Sequence, residues 1–458
     1  MKGKARLLFC LAASYFFYGY WDWRFLSLIL LSTIIDFSIG KRIGELHQEE
    51  GRSKEKKQLL IASMIVNLGF LAFFKYCNFF IESFEDLLLN FGLETSTQSL
   101  NIILPVGISF YTFQSMSYTI DVYRKQIRVE RDFWRFATYI SFFPQLVAGP
   151  IVRAKDFLSQ FDRPRNFDWT RFMSGMSQVL WGFFKKVAIA DSLAPFVDQC
   201  FEMPEAFSSL HLMIGIFFYS FQIYCDFSGY SDIAIGLARM MGFDFPENFR
   251  TPYFSRSFSE FWTRWHITLS SWLRDYLYIP LGGNRYGQFM TFRNLMITML
   301  LGGLWHGASW VFVFWGFLHG SYLILQRVLQ KPMDQFWKLL RLPNFLQAAI
   351  SILVVYLLTC FAWIFFRSPD FATASYYIEL LLAFEDMSPS SIINKFMVLK
   401  CGILLVFLIF VELTNFRLHY ATLLVHKPIL RAFAFALLLW MIAFFGTFGG
   451  NSFIYFQF

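Results

Sequence analysis

Apolar residues run through this chain in long blocks separated by short polar connections, and the blocks recur from one end to the other. They centre near residues 7–20, 24–40, 59–75, 101–120, 133–150, 172–190, 208–227, 294–326, 347–366, 396–414 and 430–448. Several reach the roughly 20 residues that a helix needs to cross a ~30 Å hydrocarbon layer. The pattern predicts an all-α, polytopic transmembrane protein with about 10–11 membrane elements, some of which dip in and return. The whole of 1–458 reads as one membrane-embedded domain, with its motif-bearing region at about 100–326 and C-terminal helices at 347–448. No internal repeat is evident, which argues against the inverted-repeat architecture of many transporters.

The connections set an orientation, because Lys and Arg in short loops are retained in the cytoplasm. Residues 41–58 (Lys41, Arg42, Arg52, Lys54, Lys56, Lys57), 121–135 (Arg124, Lys125, Arg128, Arg131, Arg135) and 415–431 (Arg417, Lys427, Arg431) are expected there. The 367–395 connection, with Asp370, Glu379, Glu385 and Asp386, is expected outside, as is the C-terminus. Residues 151–171 are again basic (Arg153, Lys155, Arg163, Arg165, Arg171), although only the block 133–150 separates them from the preceding cytoplasmic loop. That block, ending Phe-Phe-Pro-Gln-Leu-Val-Ala-Gly-Pro, is therefore expected to enter and return. Irregular backbone at membrane depth needs cover from protein or a water-filled cavity, so the chain is expected to surround a central chamber. At the start, Met-Lys-Gly-Lys-Ala-Arg resembles a signal n-region. The apolar run continues into Tyr18, Trp21 and Trp23 without a small-residue cleavage site, and reads as a first helix that stays in place.

Composition agrees with the pattern. The chain is 56% hydrophobic and only 16% charged, against roughly 25% charged in soluble proteins. Its net charge of +8 lies in short loops rather than on a stripe, which speaks for topology and against a nucleic-acid partner. Cysteines stand singly at 10, 77, 200, 225, 360 and 401, with no metal-ligand spacing, so structural thiols and no bound metal are expected.

Two regions carry candidate chemistry. Residues 250–293 intersperse Arg250, Arg256, Glu260, Arg264, Arg274, Asp275, Arg285 and Arg293 with Trp262, Trp265, Trp272 and Tyr276. Such a mixture suits a membrane-interface belt in contact with lipid, and it would also hold a phosphorylated donor. From Arg293 the chain turns apolar and reaches His306; thirteen helical steps would carry it roughly 20 Å into the layer. A lone buried His is as often a hydrogen-bonded core residue as a functional one. An ionisable group at that depth nevertheless counts as a functional candidate, and a neutral imidazole beside a hydroxyl is what acyl transfer requires. The flanking glycines allow close approach of a backbone or ligand. Asp226 and Asp232, either side of Gly229, read as helix caps or internally hydrogen-bonded acids.

Residues 258–285 read Phe-Ser-Glu-Phe-Trp-Thr-Arg-Trp-His-Ile-Thr-Leu-Ser-Ser-Trp-Leu-Arg-Asp-Tyr-Leu-Tyr-Ile-Pro-Leu-Gly-Gly-Asn-Arg. This string resembles the signature of the membrane-bound O-acyltransferase superfamily, in its alginate O-acetylation branch. The resemblance extends through Gly302-Gly303-Leu304-Trp305-His306-Gly307-Ala308, Trp315-Gly316-Phe317-Leu318-His319-Gly320, Pro144–Pro150 and Cys225–Asp232, and covers most of the chain. It implies His306 as general base and His266 as an auxiliary that orients substrate or stabilises charge. Trp305, Arg264, Trp265, Arg274 and Asp275 are candidate substrate-binding residues. His319 matches a recurring position but is expected to serve packing or a hydrogen bond; His47, His211, His419 and His426 carry no expected role. Proteins of this type often have one more apolar helix ahead of residues 7–20, which bears on the helix count and on the side of the N-terminus.

The implied activity is transfer of an acetyl group from a cytoplasmic thioester, acetyl-CoA or an acyl carrier, to hydroxyls of an extracytoplasmic polysaccharide. It would proceed directly or through an extracytoplasmic acetyltransferase partner, at the inner (cytoplasmic) membrane. No tightly bound cofactor is implied. No Ser-His-Asp set of recognisable spacing is present, so direct transfer is simpler than an acyl-enzyme. Alternatives are D-alanyl transfer to teichoic acid, transfer to peptidoglycan, a pure acyl translocator, and a channel or secondary transporter.

Overall fold

Helix after helix builds this computed structural model, which describes residues 3–93, 100–163, 166–384, 395–418, 427–449 and 453–454. Arg165, Glu385, Asp386, His419 and His426 lie outside the described residues. In chain order the helices begin with α1 (Gly3–Asp22), α2 (Leu26–Leu46), α3 (Ser53–Leu71), α4 (Cys77–Asn90) and α5 (Ile108–Tyr123). Three short ones follow: α6 (Phe133–Ser141), α7 (Phe143–Leu146) and α8 (Ala154–Phe157). Next come α9 (Trp169–Phe183), α10 (Asp191–Glu202), α11 (Ser209–Met240), α12 (Phe258–Arg264) and α13 (Ile267–Leu273). The chain closes with α14 (Gly287–His306), α15 (Trp310–Leu340), α16 (Asn344–Arg367), α17 (Phe371–Ala383), α18 (Lys395–Leu418) and α19 (Pro428–Phe445).

Among the described residues, seven helical runs are long and apolar enough to cross a membrane: Gly3–Leu46, Ser53–Asn90, Ser209–Met240, Trp310–Leu340, Asn344–Arg367, Phe396–Thr414 and Pro428–Phe445. The chain is a multi-pass membrane protein. The apolar block 294–326 is two helices rather than one, broken at residues 307–309. The block 133–150 is broken as well, with a kink at Phe142 between α6 and α7.

The chain divides into two compact units, Met1–Trp169 with Met241–Pro246, and Thr170–Met240 with Glu247–Phe458. In the first, α2, α3 and α5 meet at Asp36, which is fully buried. Its carboxylate accepts from Ser63 Oγ at 2.5 Å, Asn67 Nδ2 at 2.7 Å, Thr119 Oγ1 at 3.4 Å and Ser115 Oγ. Lipid tails provide no hydrophobic drive for helices to associate, so hydrogen bonds of this kind help to specify which helices pair.

In the second unit α9 runs through a π-helical turn, Phe184–Ala190, into α10. The turn sets consecutive lysines against α11: Lys185 Nζ lies 2.5 Å from Asp232, and Lys186 Nζ lies 2.5 Å from Asp226 and 2.8 Å from Asp191. Asp226 and Asp232 stand inside α11, not at its end, so they are ion-pair partners and not caps. Small residues let these segments approach closely: a Cβ on Gly182 would lie 2.5 Å from the Gly229 carbonyl oxygen, and one on Gly236 2.6 Å from that of Gly175.

Candidate active site

His306 is the last residue of α14, and its position follows from how α14 meets α15. The two helices run antiparallel at near-contact distance, because a Cβ on Gly303 would fall 2.2 Å from the Phe312 carbonyl oxygen and one on Gly316 2.3 Å from that of Met299. No side chain larger than hydrogen fits at either point. The close approach buries His306, only 3% exposed, against the rings of Trp305 and Trp315, each 5.1 Å away, and of Phe366 in α16 at 5.4 Å.

His266 arrives by a different route. Ser257 caps α12 by accepting from Glu260 N at 3.1 Å, and α13 starts only three residues after α12 ends. Between them His266 takes φ +41°, in the left-handed region that costs a side-chain-bearing residue energy. Two backbone bonds clamp the kink: Arg250 N donates to Arg264 O and Ile267 N to Asn248 O, both at 2.9 Å. His266 is fully buried. Phe227 of α11 lies edge-on to it at 4.6 Å, Trp305 at 6.0 Å and the His306 ring at 6.5 Å.

The side-chain amide of Asn248 meets that imidazole. Its Oδ1 accepts from Thr268 N at 3.2 Å and Thr268 Oγ1 at 2.9 Å, while Nδ2 is bonded to Ser231 Oγ at 3.1 Å. A backbone N–H pointing at this atom identifies it as the oxygen. The same Oδ1 lies 3.1 Å from His266 Nδ1. Burial pushes the His266 pKa down to about 3, so the ring is neutral.

The structure thus brings His306, His266 and Trp305 together, with Trp265 beside His266 in sequence. Trp265 is buried on Phe261 at 5.7 Å and Trp363 at 5.0 Å. Arg264 is engaged by Glu260 at 2.7 Å and by Thr251 Oγ1 at 3.3 Å. Arg274 and Asp275 pair with each other at 2.7 Å, with the Arg274 side chain 63% exposed. His319 is enclosed by Phe261, Trp262, Trp315 and Tyr322 at 4.7–5.9 Å, in keeping with a packing role. Neither of its ring nitrogens has a hydrogen-bond partner among the described residues, so the hydrogen-bond alternative is not seen. His47 bonds to Val122 O and His211 to Ser208 Oγ. No cluster of metal-ligating side chains occurs among the described residues.

Two buried imidazoles on separate elements thus meet in an aromatic shell inside a helical membrane protein. The chain belongs to the membrane-bound O-acyltransferase family, whose model matches residues 123–366, and it is an O-acyltransferase. It is 41% identical to the probable alginate O-acetylase AlgI of Azotobacter vinelandii, over 93% of this chain and 82% of that protein. It is 35% identical to a peptidoglycan O-acetyltransferase of Helicobacter pylori, over 83% of this chain and 74% of the relative. A teichoic acid D-alanyltransferase of Streptococcus thermophilus is 32% identical over 50% of this chain and 58% of that protein.

Proposed function

We propose that the chain, in the inner (cytoplasmic) membrane, moves an acetyl group from acetyl-CoA on the cytoplasmic side to hydroxyls of an alginate-like extracytoplasmic polysaccharide. It does so directly or through a separate extracytoplasmic acetyltransferase that completes transfer to the polymer. The observation that carries this reading is the facing pair His306 and His266, 6.5 Å apart and walled by Trp305 and Phe227. His306 takes the proton of the acceptor hydroxyl as its oxygen attacks the thioester carbonyl. The C–S bond then breaks, and the departing thiolate takes the proton back from His306. Such positioned proton transfer contributes about 10²- to 10⁴-fold in rate. His266 is the auxiliary that orients substrate or stabilises charge. Trp305 and Trp265 line the approach; Arg264, Arg274 and Asp275 contact the donor, a role that the exposure of Arg274 supports.

The test is acetyl transfer from labelled acetyl-CoA in membranes holding wild type, His306→Ala or His266→Ala, with polymer and membrane-protein fractions counted separately. Label that needs His306 supports catalysis, and the labelled fraction identifies the acceptor. Normal transfer by His306→Ala would move the chemistry elsewhere and favour an acyl translocator. The Helicobacter pylori relative supports a second reading of the acceptor, peptidoglycan, which dividing the polymer fraction into insoluble wall and soluble polysaccharide distinguishes.

A further inference from the structure

We infer that Asn248 is a positioning residue that locks His266 with its hydrogen on Nδ1, so that His266 meets the acyl acceptor through the lone pair of Nε2. This rests on the acyltransfer reading above and resolves the role of the auxiliary histidine within it. A neutral imidazole has one N–H and one lone pair, and the partner of one nitrogen decides what the other can do. Asn248 Oδ1, already committed as an acceptor to Thr268 N and Thr268 Oγ1, takes the His266 Nδ1 hydrogen at 3.1 Å. Nε2 then has no hydrogen to give. A group in that state cannot stabilise the oxyanion that develops on the thioester carbonyl, since that task needs a donor. It can receive a hydrogen bond from an O–H or N–H of the acceptor beside the hydroxyl that His306 deprotonates. His266 accordingly handles the nucleophile, and the acceptor class it fits is a polyol or other molecule with a donor adjacent to the reacting oxygen.

The surroundings are built to hold this arrangement. Asn248 is 1% exposed, its Nδ2 is tied to Ser231 Oγ of α11 at 3.1 Å, and its own backbone oxygen anchors Ile267 N at 2.9 Å. The same residue thus secures both the ring of His266 and the left-handed kink that carries it.

The state of the ring is read directly by nitrogen NMR of detergent-purified full-length protein carrying 15N-histidine, with the His266 signals assigned by their loss in His266→Gln. The expected wild-type spectrum has a protonated Nδ1 and an unprotonated Nε2 at His266. In Asn248→Ala the two states should mix, with acetyl transfer from labelled acetyl-CoA falling about tenfold or more. Asn248→Asp keeps an acceptor in place and should restore the Nδ1–H form and most of the transfer. A wild-type His266 protonated on Nε2, or an Asn248→Ala spectrum identical to wild type, overturns the inference. The spectrum needs no turnover: absent acetyl transfer with the expected spectrum would reject the proposed donor while leaving the locked imidazole in place.

Discussion

His306 and His266 are set in place by opposite local means, and each means implies a different sensitivity to change. His306 ends a regular helix and is held by its neighbours' lack of side chains, whereas His266 sits in a strained turn held by hydrogen bonds from residues 248–250. Replacing His306 with Ala removes the imidazole proposed as the base, so transfer should fall by about 10²- to 10⁴-fold. Protein level on the same membranes should stay near wild type, while the thermal midpoint of detergent-purified protein should fall by the few degrees that a cavity among Trp305, Trp315 and Phe366 costs. His306 stood out in the sequence by its depth in an apolar block, and His266 only through the family resemblance of residues 258–285; the fold brings their rings to 6.5 Å. Asn248 was not legible. Pro-Glu-Asn-Phe-Arg has no chemical signature of its own, and its role comes only from the fold bringing it back onto a residue eighteen positions later. Arg274 and Asp275 are conspicuous as charges in the sequence, and the fold sets them 2.7 Å apart with Arg274 still exposed.

At the scale of elements, the apolar blocks located the long helices well but concealed breaks within them. The 294–326 block reads as continuous because Gly307, Ala308 and Ser309 interrupt neither its apolar character nor its small-residue run, yet α14 and α15 turn back on each other there. The antiparallel packing depends on Gly303 and Gly316, and Gly303→Ala should cost about 1–3 kcal/mol of stability through overpacking. A drop of several degrees in the thermal midpoint of purified protein is the measurable result, with reduced transfer because His306 is three residues away. Gly69→Ala in α3, where an added Cβ meets no atom within 4 Å, is the matched control and should be near neutral. The π-helical turn at Phe184–Ala190 was likewise invisible from composition, since one extra residue per turn leaves no compositional trace. Its consequence is the pair Lys185 and Asp232, with side chains 4% and 19% exposed. Lys185→Met leaves the partly buried Asp232 carboxylate with the 3.0 Å bond from Gln178 Nε2 but without its cation, and should cost about 1–3 kcal/mol. Lys185→Met with Asp232→Leu should recover much of that loss, and a double-mutant cycle on thermal midpoints measures the coupling.

At the scale of the whole molecule, the question is which side of the membrane each connection occupies, and the segment 133–150 decides the parity of everything after it. α6 has nine residues and α7 four, so at about 1.5 Å per residue neither approaches the ~30 Å of a full crossing. The two ends of the segment are also together: Arg135, at its start, lies 2.6 Å from Asp162, well past its end, and Tyr139 OH donates to Val152 O at 3.2 Å. A chain that had crossed would separate those residues by the thickness of the hydrocarbon layer. The basic residues before and after the segment therefore belong on one side, which agrees with the retention of Lys and Arg in the cytoplasm. Gln126 and Ser159 are both exposed, as are Glu50 in the basic 41–58 connection and Asn101 in a stretch with no Lys or Arg. Single cysteines at these four positions, in a Cys77→Ser background where the five other native thiols are buried, can be probed with a membrane-impermeant maleimide on intact and permeabilised cells. Gln126→Cys, Ser159→Cys and Glu50→Cys should label only after permeabilisation, and Asn101→Cys should label on intact cells. Labelling of Gln126→Cys and Ser159→Cys from opposite sides would mean that 133–150 crosses, and would invert every later helix, including the side from which the acyl donor reaches His306.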